Sequence, residues 1–332
     1  MPNTIVMNFN ATDIFHINNE SAFNALAIKI FNFQYHHNQT YRKYLDLLKI
    51  NISEILHYQD IPCMPIDFFK NHKIMSMNFT PELEFHSSKT TGAKASVHYV
   101  KDTKLYKASL TKGFRLFLGD AASYAIFALL PSYLERKNAS LVHMVKILME
   151  ENPNQDGGFY LHNHAQLIKD ICEAQKKGRK IILWGVSFAL LDLAEAHAAE
   201  IQGIRIIETG GMKGNRQEIT RESLHKTLIE AFSPSTIDSE YGMTELLSQA
   251  WSLNGNPFNS PPWMKIFIRD MHDPRAYLKH GKSGLINVID LANIHTCAFI
   301  ETQDIGMQSG NGFEVLGRMD NSEIRGCNLM AQ

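Results

Sequence analysis

Cysteine is scarce, with 4 in 332 residues. Cys63, Cys172, Cys297 and Cys327 stand far apart and form no CxxC pair, which excludes a zinc ribbon or a disulfide scaffold. They read as free thiols, and the first three need no role beyond that of small buried apolar side chains. Excess charge of either sign is also missing. With 33 basic and 34 acidic residues the net charge is -1, so no global field draws in a polyanion. Nucleic acid is not an expected partner, and any phosphate binding must be local. Long apolar runs are absent too: stretches such as Ala125 to Pro131 fall well short of the roughly 20 residues of a membrane span. The opening MPNTIVMNFN lacks the basic-then-apolar layout of a signal peptide. The expectation is a cytoplasmic protein without a membrane span, and no internal repeat or low-complexity tract interrupts it.

What is present is ordinary globular material: hydrophobic residues at 44% against charged residues at 20%, enough for a substantial core. Phe23, Leu26, Ala27, Ile30 and Phe31, then Tyr41, Tyr44, Leu45 and Leu48, recur at helical spacing and predict two helices within residues 21–57. Pro62 and Pro65 mark an extended connector. The polar FHSSKTTGAKAS lies between strand-like LEF and VHYV and reads as a loop. The run AASYAIFALLPSYL reads as a buried helix broken by Pro131. From Lys180 the pattern becomes strand–helix–strand: IILWG, VSFALLDLAEAHAAE, then GIRIIETGG, a βαβ unit with a parallel pair. Its strand ends, Thr209 and Gly210 among them, fall where open α/β sheets bind ligands. The helix ESLHKTLIEAF and the strand STIDSEYG follow. Beyond residue 250, GLINVIDL, TCAFIETQDIG and FEVLGRMD predict a β-rich end.

Four short segments carry chemistry. Ser87, Ser88, Lys89, Thr90, Thr91 and Gly92 have the composition of a phosphate cradle, in which hydroxyls and backbone N–H groups on a tight turn wrap phosphate oxygens; alone they fit a solvated turn as well. Tyr241, Gly242, Met243, Thr244 and Glu245 follow a strand-like segment and precede the apolar LLSQAW; by themselves they also fit a helix start capped by Thr244. Asp304 stands in TQDIG, and Gly317 and Arg318 in LGRMDNSEIRG.

In this order the segments resemble the superfamily of adenylate-forming enzymes that contains acyl- and aryl-CoA synthetases, adenylation domains and luciferases. Within it the chain is most similar to the acyl-protein synthetases, the type found in the bacterial bioluminescence fatty acid reductase, through PIDFFK, GGFYL, IILWGVSFALL, ETGGMKG, YGMTELLSQAW and SEIRGCNL. The resemblance implies an α/β fold: a large adenylate-forming domain of the superfamily's N-terminal type, with parallel and mixed sheets flanked by helices and a β-rich C-terminal part. Residues 1–80 would form a helical lead and connector, 81–317 the core, and 318–332 the hinge motif and tail, without the superfamily's C-terminal lid. It also implies use of ATP, formation of bound AMP ester and a requirement for Mg²⁺. By the resemblance Tyr241 packs on adenine, Thr244 touches phosphate and Glu245 holds Mg²⁺. Asp304 binds the ribose hydroxyls, Arg318 reaches the nucleotide, and Trp184, Gly185, Gly210, Gly211, Met212 and Gly242 belong to the acyl and adenine pockets.

The chain departs from the superfamily at two places. By the resemblance to acyl-protein synthetases, the lid lysine that stabilises charge on the attacking carboxylate is expected to be absent. In the phosphate loop Lys89 stands where glycine is usual, and Lys94 and Ala95 occupy the usual proline and lysine positions. Lys89 fits either a cation beside the phosphates that replaces the lid lysine or a solvated loop residue. Cys327 resembles the C-terminal cysteine that takes the acyl group, and Arg325 nearby favours a thiolate; the competing reading is an inert thiol. The pairs His36/His37 and His162/His164 lack a third ligand at suitable spacing and are read as structural. The expected activity is ATP-dependent activation of a carboxylic acid, a fatty acid above all, and transfer of the acyl group to a thiol or to an acyl-accepting or carrier protein. Two alternatives are an ATP-independent acyltransferase and a degenerate nucleotide- or acyl-binding partner protein.

Overall fold

The computed structural model describes residues 9–87, 94–130, 138–210, 219–273 and 276–319. Two compact units emerge: Met1–Pro81 with His98–Lys101 and Pro262–Gln332, and Glu82–Val97 with Asp102–Pro261. Elements are numbered along the whole chain.

In the first unit the expected helices are α1 (Glu20–His37) and α2 (Gln39–Leu47). Phe23, Leu26, Ala27, Ile30 and Phe31 face the core, as their spacing requires. Asn19 caps α1 by accepting from the Ala22 N–H, and Asn38 both ends α1 and caps α2 through the Tyr41 N–H, a standard use of a short polar side chain at a helix start. One turn earlier Gln34, fully buried, donates through Nε2 to the carbonyls of Asn293 (2.8 Å) and Ile294 (3.0 Å) and accepts from the Ala298 N–H (3.0 Å). Its amide thereby satisfies a buried loop whose backbone groups have no ladder to join. The proline-marked connector is indeed extended, and Met64–Pro65 form a strand, β1, parallel to a later one. Proline is tolerated there because β1 lies at the sheet's edge. A short helix, α3 (Phe68–Asn71), follows.

The C-terminal strands of this unit are β10 (Met264–Arg269), β11 (Ser283–Asp290), β12 (Phe299–Ser309) and β13 (Gly312–Arg318). They pair antiparallel in order, and β1 joins β12 with Met64 opposite Ile300. The expected β-rich end is present.

In the second unit the hydroxyl-rich segment does sit between two strands, β2 (Leu83–His86) and β3 (Val97–Val100), of which Val97 belongs to this unit. Helix α4 (Thr103–Leu118) is capped by Asp102, which accepts from the Lys104 and Leu105 N–H groups. Next comes β4 (Tyr124–Leu129), where a buried helix was expected. Ala125 to Leu129 are at most 2% exposed, so β4, an interior strand between β5 and β6, is buried on both faces. A strand buried on both faces reads as a continuous apolar run, which periodicity cannot separate from a buried helix. Residues 131–137 lie outside the described residues.

The remaining elements alternate: α5 (Ser140–Glu150), β5 (Gly157–Tyr160), α6 (His164–Lys176), β6 (Lys180–Val186), α7 (Ser187–His197), β7 (Arg205–Thr209), α8 (Arg221–Phe232), β8 (Thr236–Tyr241) and β9 (Ala250–Ser252). The sheet runs β5-β4-β6-β7-β8-β9, parallel throughout except for β9. The strand–helix–strand unit from Lys180 is therefore as expected, and the α/β class holds. One face of the sheet meets α4 in an aromatic cluster. Trp184 on β6, fully buried, lies 6.4 Å from Phe114 and 5.7 Å from Trp251 on β9.

Candidate active site

The C-terminal ends of parallel strands collect polar groups, because neighbouring strands stop together and leave backbone and side chains facing one side. Here β6, β7 and β8 end in such a cluster. Ser187, the first residue of α7, donates toward Glu208 Oε2 (3.2 Å) and the Gly210 carbonyl (3.1 Å). Glu208 Oε1 is 3.8 Å from His225 Nε2 on α8, and His225 is 3.4 Å from Ser239 Oγ. On the next register position Thr209 Oγ1 donates to the carboxylate of Glu240. Glu208 and Glu240 are buried, so each needs the hydrogen bonds it receives.

From β8 the chain leaves through Tyr241, buried with its ring 6.0 Å from that of Phe258. At Gly242 an added Cβ would collide with Glu240 Oε1 and lie 3.4 Å from Gln249 Cγ. Any larger residue here would have to displace the Glu240 carboxylate, which glycine leaves in place. A turn follows, closed by the Leu246 N–H on the Met243 carbonyl (3.1 Å), and it carries Thr244 and Glu245. Residues 242–249 contain no helix, so the helix-start reading of Thr244 does not hold.

Glu245 is 5% exposed and accepts a hydrogen bond from Ser96 Oγ. Ser96 terminates the hydroxyl-rich segment, and Ser87 begins it. The Ser87 N–H donates to the Ser96 carbonyl (3.1 Å) and the Ser96 N–H to Ser87 Oγ (2.9 Å). The two ends of the segment are thus pinned together and tied to a carboxylate 149 residues away in sequence. Ser88, Lys89, Thr90, Thr91 and Gly92, and likewise Gly211, Met212 and Cys327, lie outside the described residues.

In the first unit, Asp304 on β12 and Arg318 on β13 are Cα partners. The Asp304 N–H donates to Thr302 Oγ1 (3.1 Å), and the exposed Arg318 reaches Gln303 Oε1 (3.3 Å). The register shifts between Ile305 and Gly306: Ile305 pairs with Gly317 and Gly306 with Val315, which leaves Leu316 as the extra residue on β13. A bulge of this kind re-aims the side chains that follow it.

The sequence model of the acyl-protein synthetases, described as "Acyl-protein synthetase, LuxE", matches residues 3–332. The chain belongs to this family. Two relatives, from Vibrio harveyi and Aliivibrio fischeri, bear the name long-chain-fatty-acid–luciferin-component ligase. The first is 23% identical over 325 residues, covering 90% of this chain and 84% of the relative; the second is 23% identical over 337 residues, covering 92% and 86%. Among solved structures, a 2-hydroxyisobutyryl-CoA ligase holding 2-HIB-AMP and CoA superimposes with TM-score 0.70 at 11% identity, over 91% of this chain and 68% of that one. An ATP-bound RpMatB-BxBclM chimera gives TM-score 0.55 at 14% identity over 73% of this chain, which spans about half of the chimera's length, 49% being covered. At these identities the two structures establish the adenylate-forming ligase fold.

For an acyl-protein synthetase the thiols matter. Cys63 and Cys297 are buried, and burial pushes the Cys297 thiol up to about 12 and that of Cys63 well above the usual range. Neither supplies a thiolate near neutral pH. Among the described residues no group of three or more His, Cys, Asp and Glu side chains is arranged to hold a metal ion, and no helix is long and apolar enough to cross a membrane.

Sequence reading missed Ser96, Glu208 and Glu240. Ser96 gives no local signal, because its partner is far off in the chain. Glu208 and Glu240 did give one: a charged residue within a strand of an otherwise apolar parallel sheet is out of pattern.

Proposed function

We propose that this acyl-protein synthetase condenses a carboxylic acid with ATP and passes the acyl group to a thiol. The acid's carboxylate oxygen bonds to the α-phosphorus, the bond from that phosphorus to the pyrophosphate oxygen breaks, and an acyl-adenylate remains. A thiolate then adds to the acyl carbonyl and AMP leaves, giving a thioester. The single observation that supports this reading is the bond from Ser96, at the end of the hydroxyl-rich segment, to Glu245 of the YGMTE turn. Family membership supports it, and disfavours both the ATP-free acyltransferase and the degenerate binding protein. The names of the two bacterial relatives support a long-chain fatty acid as the acid.

In this reading Thr244 and the Ser87 to Thr91 loop hold phosphate and Tyr241 packs on adenine, while Asp304 and Arg318 keep the nucleotide-binding roles that the resemblance implies. A single buried carboxylate, Glu245, suits Mg²⁺, which is commonly held by one or two carboxylates together with substrate phosphates rather than by a full protein cage. Bound there, the ion would neutralise charge on the departing pyrophosphate. The chain's own residues contribute position and fixed donors, the main sources of rate in such a displacement. Cys327 is the proposed acceptor, by its likeness to the family's C-terminal cysteine.

The test is acid-dependent exchange of labelled pyrophosphate into ATP with fatty acids of graded length, followed by intact-mass analysis after incubation with ATP, Mg²⁺ and the best acid. Exchange and a mass gain of one acyl group, lost in Cys327→Ser, are expected. No exchange with any acid overturns adenylation; a mass gain that survives Cys327→Ser overturns the acceptor.

A further inference from the structure

Ser96 is 1% exposed and Glu245 5%. Both ends of their contact are anchored. Ser96 is fixed at its backbone by two hydrogen bonds with Ser87, one in each direction. Glu245 is fixed at its root by the turn from Met243 to Leu246 and by the crowded exit at Gly242. A hydroxyl held in this way gives a carboxylate one defined orientation. Because the hydroxyl is neutral, it orients the carboxylate without cancelling its charge, unlike a lysine or arginine in the same place.

We propose that Ser96 is a positioning residue for the adenylation reaction: it sets the orientation in which Glu245 meets a divalent cation carried on the triphosphate. The inference rests on the function proposed above. In this proposal Ser96 itself contacts no substrate. It acts through Glu245, by the hydrogen bond from its hydroxyl to the carboxylate. A serine that merely satisfied a buried group would affect stability and all nucleotide binding alike; a positioning serine affects only the part of binding that the cation adds.

The experiment is calorimetric titration with a non-hydrolysable ATP analogue, with and without Mg²⁺, on the full chain and on Ser96→Ala and Ser96→Thr, each checked by thermal melting. In the wild type Mg²⁺ is expected to tighten binding. In Ser96→Ala that tightening falls about tenfold, in line with loss of one hydrogen bond to a charged group, while affinity without Mg²⁺ stays as it was. Ser96→Thr, which keeps the hydroxyl, restores the tightening. The inference is overturned if Ser96→Ala keeps the full Mg²⁺ effect, or if it loses affinity equally with and without the ion alongside a lower melting temperature. A wild type that neither binds the analogue nor exchanges pyrophosphate removes the adenylation reading itself, and this inference with it.

Discussion

Gly242 stands directly against the carboxylate of Glu240, so that a methyl group at position 242 would strike Oε1. Glu240 cannot move aside freely, being buried and bound to Thr209. The turn bearing Thr244 and Glu245 therefore leaves the sheet along a fixed course. Gly242→Ala is expected to cost about 1–3 kcal/mol of stability through overpacking and to lower pyrophosphate exchange as the turn is displaced. Urea denaturation and the exchange assay check this. Unchanged values in both would mean that the strand end yields without effect.

Glu245→Gln keeps the shape of the side chain and the Ser96 acceptor but removes the charge. Acid-dependent exchange should fall by about 10²-fold or more, the scale seen when one preorganised electrostatic group is lost, with the melting temperature nearly unchanged. Equal loss of activity and fold would make Glu245 a structural residue.

Gln34→Ala leaves the carbonyls of Asn293 and Ile294 and the Ala298 N–H without the side-chain partner they have now. The Asn293 carbonyl keeps the Thr296 N–H (3.1 Å), but the Ile294 carbonyl and the Ala298 N–H lose a buried partner, and the cost should be about 1–3 kcal/mol, read from chemical denaturation. Gln34→Glu, which keeps the acceptor for Ala298 but loses the donor, should also be destabilising.

Arg269 and Glu301 form an ion pair at 2.6 Å with the guanidinium 7% exposed. Burial raises the Glu301 carboxyl, and Arg269 opposes that rise. Arg269→Met strands the acid and should cost about 3–5 kcal/mol. Arg269→Met combined with Glu301→Leu should recover much of that loss. A double variant no better than the single one would count against the pair as the cause.

His143, stacked on Tyr106 (5.8 Å) and beside Phe85, has its pKa lowered from 6.5 by burial and next by Lys146. His36 and His164 are lowered too, first by burial and then by His37 and His197 respectively. A base lowered on folding contributes stability that is full above its unfolded value and is lost as pH falls through that value toward the folded one. Melting temperature should therefore drop between pH 7.5 and pH 6, and His143→Phe should reduce the drop. A variant with the full wild-type slope would exclude His143 as a contributor.

The elements legible in the sequence were those with a period or a punctuation mark. Phe23 to Phe31 announced α1 by their spacing, and GIRIIETGG announced β7 by its glycines. The segment Tyr124–Leu129 was not legible, because a strand covered on both faces loses the alternation that would distinguish it from a helix. At the site, Glu245 was found through its short motif, whereas Ser96 was invisible: only folding places the end of one loop against a turn far along the chain. The thiol question divides the same way. Cys63, Cys172 and Cys297 read alike in sequence, and burial sets Cys63 and Cys297 apart as unreactive.

The parallel pairing of β1 with β12, Met64 beside Ile300, has a consequence for biosynthesis. On a ribosome the amino-terminal helices emerge early, yet the sheet they belong to cannot close until the strands after residue 262 have been made. The intervening stretch, whose strands β4 to β8 alternate along the chain with the helices α5 to α8, is ready to fold first. Nascent chains arrested before residue 262 should consequently carry a protease-resistant middle and a protease-sensitive beginning, with protection of the beginning arriving only as the last strands are released.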